Sequence, residues 1–102
     1  MTYHRNMRTR IIICSYLLNK PKYQASTNEI YDHVNSHGHQ GATKNQLNNL
    51  VSRTRCIIKR SDGDWRLEPE IYREFLTEVE DSEDRKVKRI VSRDKNILEE
   101  IE

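Results

Sequence analysis

"CIIKRSDGDWRLE", residues 56 to 68, decides how the rest of this chain is read. Two short runs of β-prone residues flank Asp62-Gly63, the pairing that most strongly marks a two-residue hairpin turn. With those two residues at the turn, Arg60 is expected opposite Trp65, Lys59 opposite Arg66 and Ile58 opposite Leu67. Cys56, Ile58, Trp65 and Leu67 would then share an apolar face, with Arg60 at its outer end. Lys59 and Arg66 would project from the other face, alongside Ile57 and Glu68. A hairpin apolar on one side needs something to lie on, and the preceding sequence offers helices.

Residues 6–19 carry Met7, Ile11, Cys14 and Leu18 at heptad-like spacing, and Ile12, Ile13 and Leu17 widen the face to that of a central core helix. Pro21 helps to end it. A second helix starts within "ASTNEIYDHVNSHG", where Ser26 and Glu29 form a capping box. Ile30, Tyr31 and Val34 give its inward side, and Gly38 is a plausible stop. Thr43 and Gln46 form another capping box, opening a third helix that runs to about Thr54. This helix, in "TKNQLNNLVSRTR", is unusual in its surface. Leu47, Leu50 and Val51 gather on one side, while Asn45, Asn49 and Ser52 occupy the other, flanked by Asn48 and Arg53. Asparagine is a poor helix former, so propensity does not explain the choice. Nor does Asp or Glu occur anywhere between Asp32 and Asp62.

Beyond the hairpin, Pro69 suits the first turn of another helix, with Ile71, Tyr72, Phe75, Leu76 and Val79 as its apolar stripe. After the polar "EDSEDRK", Val87, Ile90, Ile97 and Ile101 keep a weak heptad rhythm, with Asp94 between Ile90 and Ile97. Two roles suit this tail: packing on the preceding domain, or pairing with a second subunit through those four residues. The acidic block Glu78 to Asp84 and the basic block Arg85 to Lys95 would match in an antiparallel pair.

Length and charge frame these elements. The 102 residues suit one domain with an appendage. The overall charge of +2 conceals a basic body, with 11 Lys/Arg against 5 Asp/Glu in residues 1–68, and an acidic tail, with 7 against 11 in residues 69–102. A basic body suggests a polyanionic partner. Cys14 and Cys56 fall in apolar runs and are too few for a disulfide scaffold, so buried thiols in a reducing compartment are expected. The start, "RNMRTRIIICSYLLNK", imitates a signal peptide but lacks the usual cleavage site, and no segment approaches the ~20 apolar residues of a membrane span. A cytoplasmic protein without membrane partners is the expectation. His33 and His37, four apart, and His39 lack the companions of a metal site and read as solvated histidines. With no phosphate-binding glycine loop, nucleophile motif or carboxylate pair, neither an enzyme nor a cofactor or small-molecule ligand is expected.

Three helices followed by a hairpin, carried by "STNEIYDHVNSHG", "GATKNQLNNLVSRTR" and "CIIKRSDGDWRLE", resemble the winged helix-turn-helix family over residues 6–68. The spacing and the terminal "WRLE" are most similar to small archaeal and viral winged-helix regulators. The segment "HGHQGA" is longer than a tight helix-turn-helix turn. The resemblance implies an α+β, mostly α fold, with a DNA-binding domain at 1–68 and a helical extension at 69–102. It also implies that residues 44–54 enter the major groove of double-stranded DNA. Asn45, Asn48, Asn49 and Ser52 would read bases, since asparagine can pair with adenine through two hydrogen bonds. Lys44, Arg53, Arg55, Lys59 and Arg66 would hold phosphates, and Asp62 and Asp64 would keep the hairpin tip clear of them. Trp65 reads as a core cap, with Arg60 over its face. Arg5, Arg8 and Arg10 either add backbone contacts or solvate the first helix. The function implied is operator occupancy by a transcriptional regulator, as a homodimer if Val87, Ile90, Ile97 and Ile101 pair. Alternatives are a winged-helix module that docks proteins without binding DNA and, more weakly, a single-strand binder, for which the basic face has little aromatic interleaving.

Overall fold

Helix α1, Met7–Leu18, buries Ile11, Ile12, Ile13, Cys14, Leu17 and Leu18, together with Thr9 and Ser15. A helix covered on nearly all sides sits at the centre of its domain, and every later layer is built around it. The computed structural model describes residues 7–37 and 43–101. Its order is α1, a 3-10 turn at Pro21–Tyr23, β1 Gln24–Ala25, α2 Thr27–His37, α3 Lys44–Ser52, β2 Ile57–Lys59, β3 Trp65–Leu67, α4 Pro69–Val79 and α5 Arg85–Ile101. The fold is α+β and mostly helical, with a small three-stranded antiparallel sheet ordered β1-β3-β2. None of the helices described is long and apolar enough to cross a membrane.

Strand β1 was not foreseen. Two residues show no alternation to read, and the strand exists because Gln24 and Ala25 pair with Arg66 and Trp65 of β3. Lys22 and Tyr23 reach it through left-handed backbone at φ 57° and 59°, a conformation side chains make uncommon.

The hairpin corrects the expected register by one residue. Ile57 pairs with Leu67, Ile58 with Arg66 and Lys59 with Trp65. The loop is Ser61-Asp62-Gly63, closed by the Arg60 amide donating to the Asp64 carbonyl at 2.7 Å and the Gly63 amide donating to the Arg60 carbonyl at 3.0 Å. Gly63 takes φ +91°, the left-handed residue that ends a three-residue hairpin loop. Asp-Gly therefore serves here as the end of a longer loop, with the Asp62 carboxylate accepting from the Asp64 amide. A slip of one flips the faces. Ile57 is buried and Ile58 is 44% exposed, the reverse of the expectation. Lys59, in place of Arg60, lies over the Trp65 ring.

The tail joins the same core. Tyr72, Phe75, Leu76 and Val79 of α4 and Val87, Ile90, Val91 and Leu98 of α5 belong to one apolar cluster with α1. Helix α5 packs on α1 and α4, which alters the expected pairing seam. Val87 and Ile90 are consumed by the chain's own core, Ile97 is half-buried, and Ile101 alone of the four stays well exposed at 47%. Beyond residue 94 the helix buries Leu98 in place of Ile97 and Ile101, while Asp94 keeps the seam position that the heptad rhythm assigned to it. This carboxylate is fully buried and accepts a 2.5 Å hydrogen bond from the Tyr72 hydroxyl, so the buried stripe runs 87, 90, 91, 94, 98 at helical period. Arg93 closes the arrangement, donating to Asp94 and to Ser15 of α1.

Candidate nucleic-acid interface

Helix α3 is short and amide-rich, so its structure depends on its ends. At the start the Gln46 amide donates to the Thr43 hydroxyl and the Thr43 amide donates to the Gln46 side chain, at 3.1 and 3.0 Å. This capping box satisfies two otherwise orphaned donors. Leu47 and Val51 are buried beneath, at 2% and 1% exposure. At the far end the Arg10 guanidinium donates to the Arg53 carbonyl at 3.0 Å and to the Thr54 hydroxyl at 3.1 Å. Thr54 in turn donates to the Leu50 carbonyl. A cation on the last carbonyls is the favourable arrangement for a helix C-terminus. Arg10 is thus a clamp on α3, a role that no residue near it in the chain indicates.

The outer face of α3 brings together Lys44, Asn45, Asn49, Ser52 and Arg53, all exposed. Among the described residues the amides of Asn45 and Asn49 take no hydrogen bond. Ser52 donates back to the Asn49 carbonyl. Lys44 sits 5.4 Å from the centre of the Tyr31 ring on α2, a contact that leaves its ammonium open to an anion. No carboxylate pairs with Lys44 or Arg53 among the described residues.

Other expected contacts are placed differently. Asn48 is half-buried, and its side-chain oxygen accepts from the Thr27 hydroxyl at 3.2 Å, which itself accepts from the Trp65 indole at 3.1 Å. Asn48 therefore braces α3 against α2 and β3. Arg55 is turned to α4, bridging Glu74 and Glu78 at 3.1 and 3.2 Å. Arg66 pairs with Glu68, and Arg60 with Asp62. The Asp62 carboxyl is held below its usual range, first by the Asp64 backbone N–H and then by Arg60, so the hairpin tip stays negative. Trp65 is buried, as a core cap should be.

His33 stacks on Tyr16, with ring centres 4.2 Å apart; the His37 side chain, His39 and Arg5 lie outside the described residues. No group of three metal-ligating side chains occurs among those described. Sequence reading also missed a basic concavity of about 590 Å³ between the first turns of α1 and α5, lined by Arg8, Asp84, Arg85, Lys86 and Arg89. It forms where Arg8 bonds to Asp84 at 2.8 Å, a contact between distant parts of the chain. Asp84 also accepts from the Lys86 amide, capping α5, and its carboxyl is lowered first by Arg8.

No protein-family model, no curated protein and no solved structure matches this chain.

Proposed function

We propose that this chain is a winged helix-turn-helix protein that binds double-stranded DNA in a sequence-dependent way and regulates transcription by occupying an operator. The observation that carries the reading is the outer face of α3. Two asparagine amides four residues apart stand exposed between Lys44 and Arg53, on a helix fastened at both ends and free of acid. Short amides suit a helix that approaches base edges closely, and asparagine can bond to both N6 and N7 of adenine. Lys44 and Arg53 would hold phosphates and fix the register. The order helix, strand, two helices, hairpin supports the reading. A two-fold assembly would have to use a surface other than the one Val87 and Ile90 were expected to supply.

Binding of the full chain to a random duplex pool, followed by fluorescence anisotropy at several salt concentrations, tests this. The expected log–log slope is roughly −3 or steeper, at about 0.9 per phosphate contacted. Asn49→Ala should then lose about 1–3 kcal/mol of discrimination at one base pair while keeping the salt slope. A second reading, a protein-docking module, draws support from Ile58, which stands 44% exposed on the outer face of the hairpin. In that case no duplex binding occurs at low salt.

A further inference from the structure

Cys14 and Cys56 are 42 residues apart in sequence, yet their sulfurs lie 3.3 Å apart. Both are free thiols, at 0% and 1% exposure. Cys14 projects from the middle of α1. Cys56 directly precedes β2, where its carbonyl accepts a 2.7 Å hydrogen bond from the Glu68 amide. The contact therefore ties the central helix to the segment that leads out of α3. Packing alone brings buried cysteines near many neighbours. Here each sulfur has the other within hydrogen-bonding reach, and reaching a disulfide's length of about 2.05 Å needs an approach of roughly 1.2 Å.

We propose that Cys14 and Cys56 are a modification site, a buried dithiol that a hydroperoxide converts to an intramolecular disulfide. Burial selects the oxidant. Hydrogen peroxide is little larger than water, whereas a glutathione-sized disulfide cannot enter a closed core. The roles of the two sulfurs follow from their surroundings. Burial pushes the Cys14 thiol up, while the hydrogen bond from Cys14 draws the Cys56 thiol down. Cys56 is thus the better thiolate.

In the first step the Cys56 sulfur attacks one peroxide oxygen. An S–O bond forms, the O–O bond breaks, and the departing hydroxide takes the thiol proton and leaves as water. In the second step Cys14 sulfur attacks the Cys56 sulfenic acid. The S–S bond forms, the S–O bond breaks, and hydroxide leaves with the Cys14 proton as a second water. Two thiols lose two electrons and one peroxide gains them. The product closes a loop that contains β1, α2 and α3, and it fixes α1 beside the Arg10 clamp on α3. This inference is independent of the DNA reading.

The test uses the reduced full chain, exposed to hydrogen peroxide and then analysed by intact mass, thiol alkylation after denaturation, and thermal melting. The expected result is a monomer lighter by about 2 Da, with both thiols protected and all changes reversed by dithiothreitol. Its melting temperature should rise by roughly 10 °C, because the bond closes a long loop of the unfolded chain. Neither Cys14→Ser nor Cys56→Ser should show that mass loss as a monomer. If either variant fails to fold, the wild-type measurements decide alone. Added oxygen on the sulfurs without the 2 Da loss would overturn the proposal. So would disulfides only between chains, or thiols that persist in the folded protein at peroxide levels that oxidise the unfolded one.

Discussion

Helices α2 and α3 begin with the same device built from different chemistry. At α2 the box is Ser26 and Glu29: the Glu29 amide donates to the Ser26 hydroxyl, and the Ser26 amide donates to the Glu29 carboxylate. At α3 it is Thr43 and Gln46, with an amide where α2 has a carboxylate. A carboxylate is the better choice for a helix N-terminus, since it complements the macrodipole. It also recruits Lys20, whose ammonium bonds to Glu29 at 2.9 Å. Helix α3 forgoes that advantage, as it forgoes good helix formers on its outer face. Both departures keep negative charge and bulk away from one surface, and a polyanion is the partner that would require this. The hairpin shows the contrast again. Its two arginines, Arg60 and Arg66, are each matched by a carboxylate, whereas among the described residues Arg53 at the end of α3 is not; Lys59, like Lys44, lies over an aromatic ring.

If α3 is the surface that meets DNA, reversing its charge should have the largest effect. Arg53→Glu removes one phosphate contact and adds repulsion, and should weaken duplex binding on the order of 100-fold at low salt, with the salt slope shallower by about 1. Melting should change little, because Arg10 holds the Arg53 carbonyl and not its side chain.

The two caps should also respond differently to acid. The Glu29 carboxyl is lowered from 4.5, first by Lys20 and then by the Ser26 amide. A carboxyl whose folded value is depressed contributes stability above its unfolded value, and that contribution is lost as pH falls through the folded value. Amide exchange followed by NMR should therefore show the first turn of α2 losing protection as pH drops below about 4.5. The first turn of α3, capped by an uncharged amide, should show no such step. Because Glu29 is largely exposed, the accompanying fall in melting temperature should be only roughly 1–2 °C.

The smallest effect is expected at the hairpin. Arg66→Ala should change duplex affinity by less than about threefold, since its charge is already balanced by Glu68 and surface pairs contribute roughly 0–1 kcal/mol. A loss as large as that for Arg53→Glu would move the interface to the hairpin.

What the sequence revealed was local. Both capping boxes, the starts of α2 and α3, the stripe of α4 and the presence of a hairpin all rest on residues within a few positions of each other. Long-range placement was hidden. Nothing near Arg55 indicates that Glu74 and Glu78 will claim it, and nothing near Asn48 points to Thr27. The hairpin register turned on a local ambiguity, because Asp-Gly fits both a two-residue turn and the end of a three-residue loop. Asp94 is hidden for a reason similar to that of Arg55 and Asn48. A carboxylate at a seam position is costly to bury, and its partners are the Tyr72 hydroxyl, brought from α4, and the neighbouring Arg93. Within the candidate site, the helix pattern alone put Asn45, Asn49 and Ser52 on the outer face of α3 with Arg53 beside them, where they stand exposed; it put Asn48 beside them too, and that residue is half-buried. Nothing in the pattern pointed to Arg10.

Gln46→Glu puts the contrast between the two caps to the most direct test, with melting and duplex binding measured on the same protein. The substitution gives α3 the box that α2 already has. Opposite signs are expected: stability unchanged or raised by about 0.3–1 kcal/mol, and low-salt duplex affinity lowered by roughly three- to tenfold. Duplex affinity equal to that of the wild type, on a helix so modified, would contradict the claim that α3 leaves acid out in order to meet DNA.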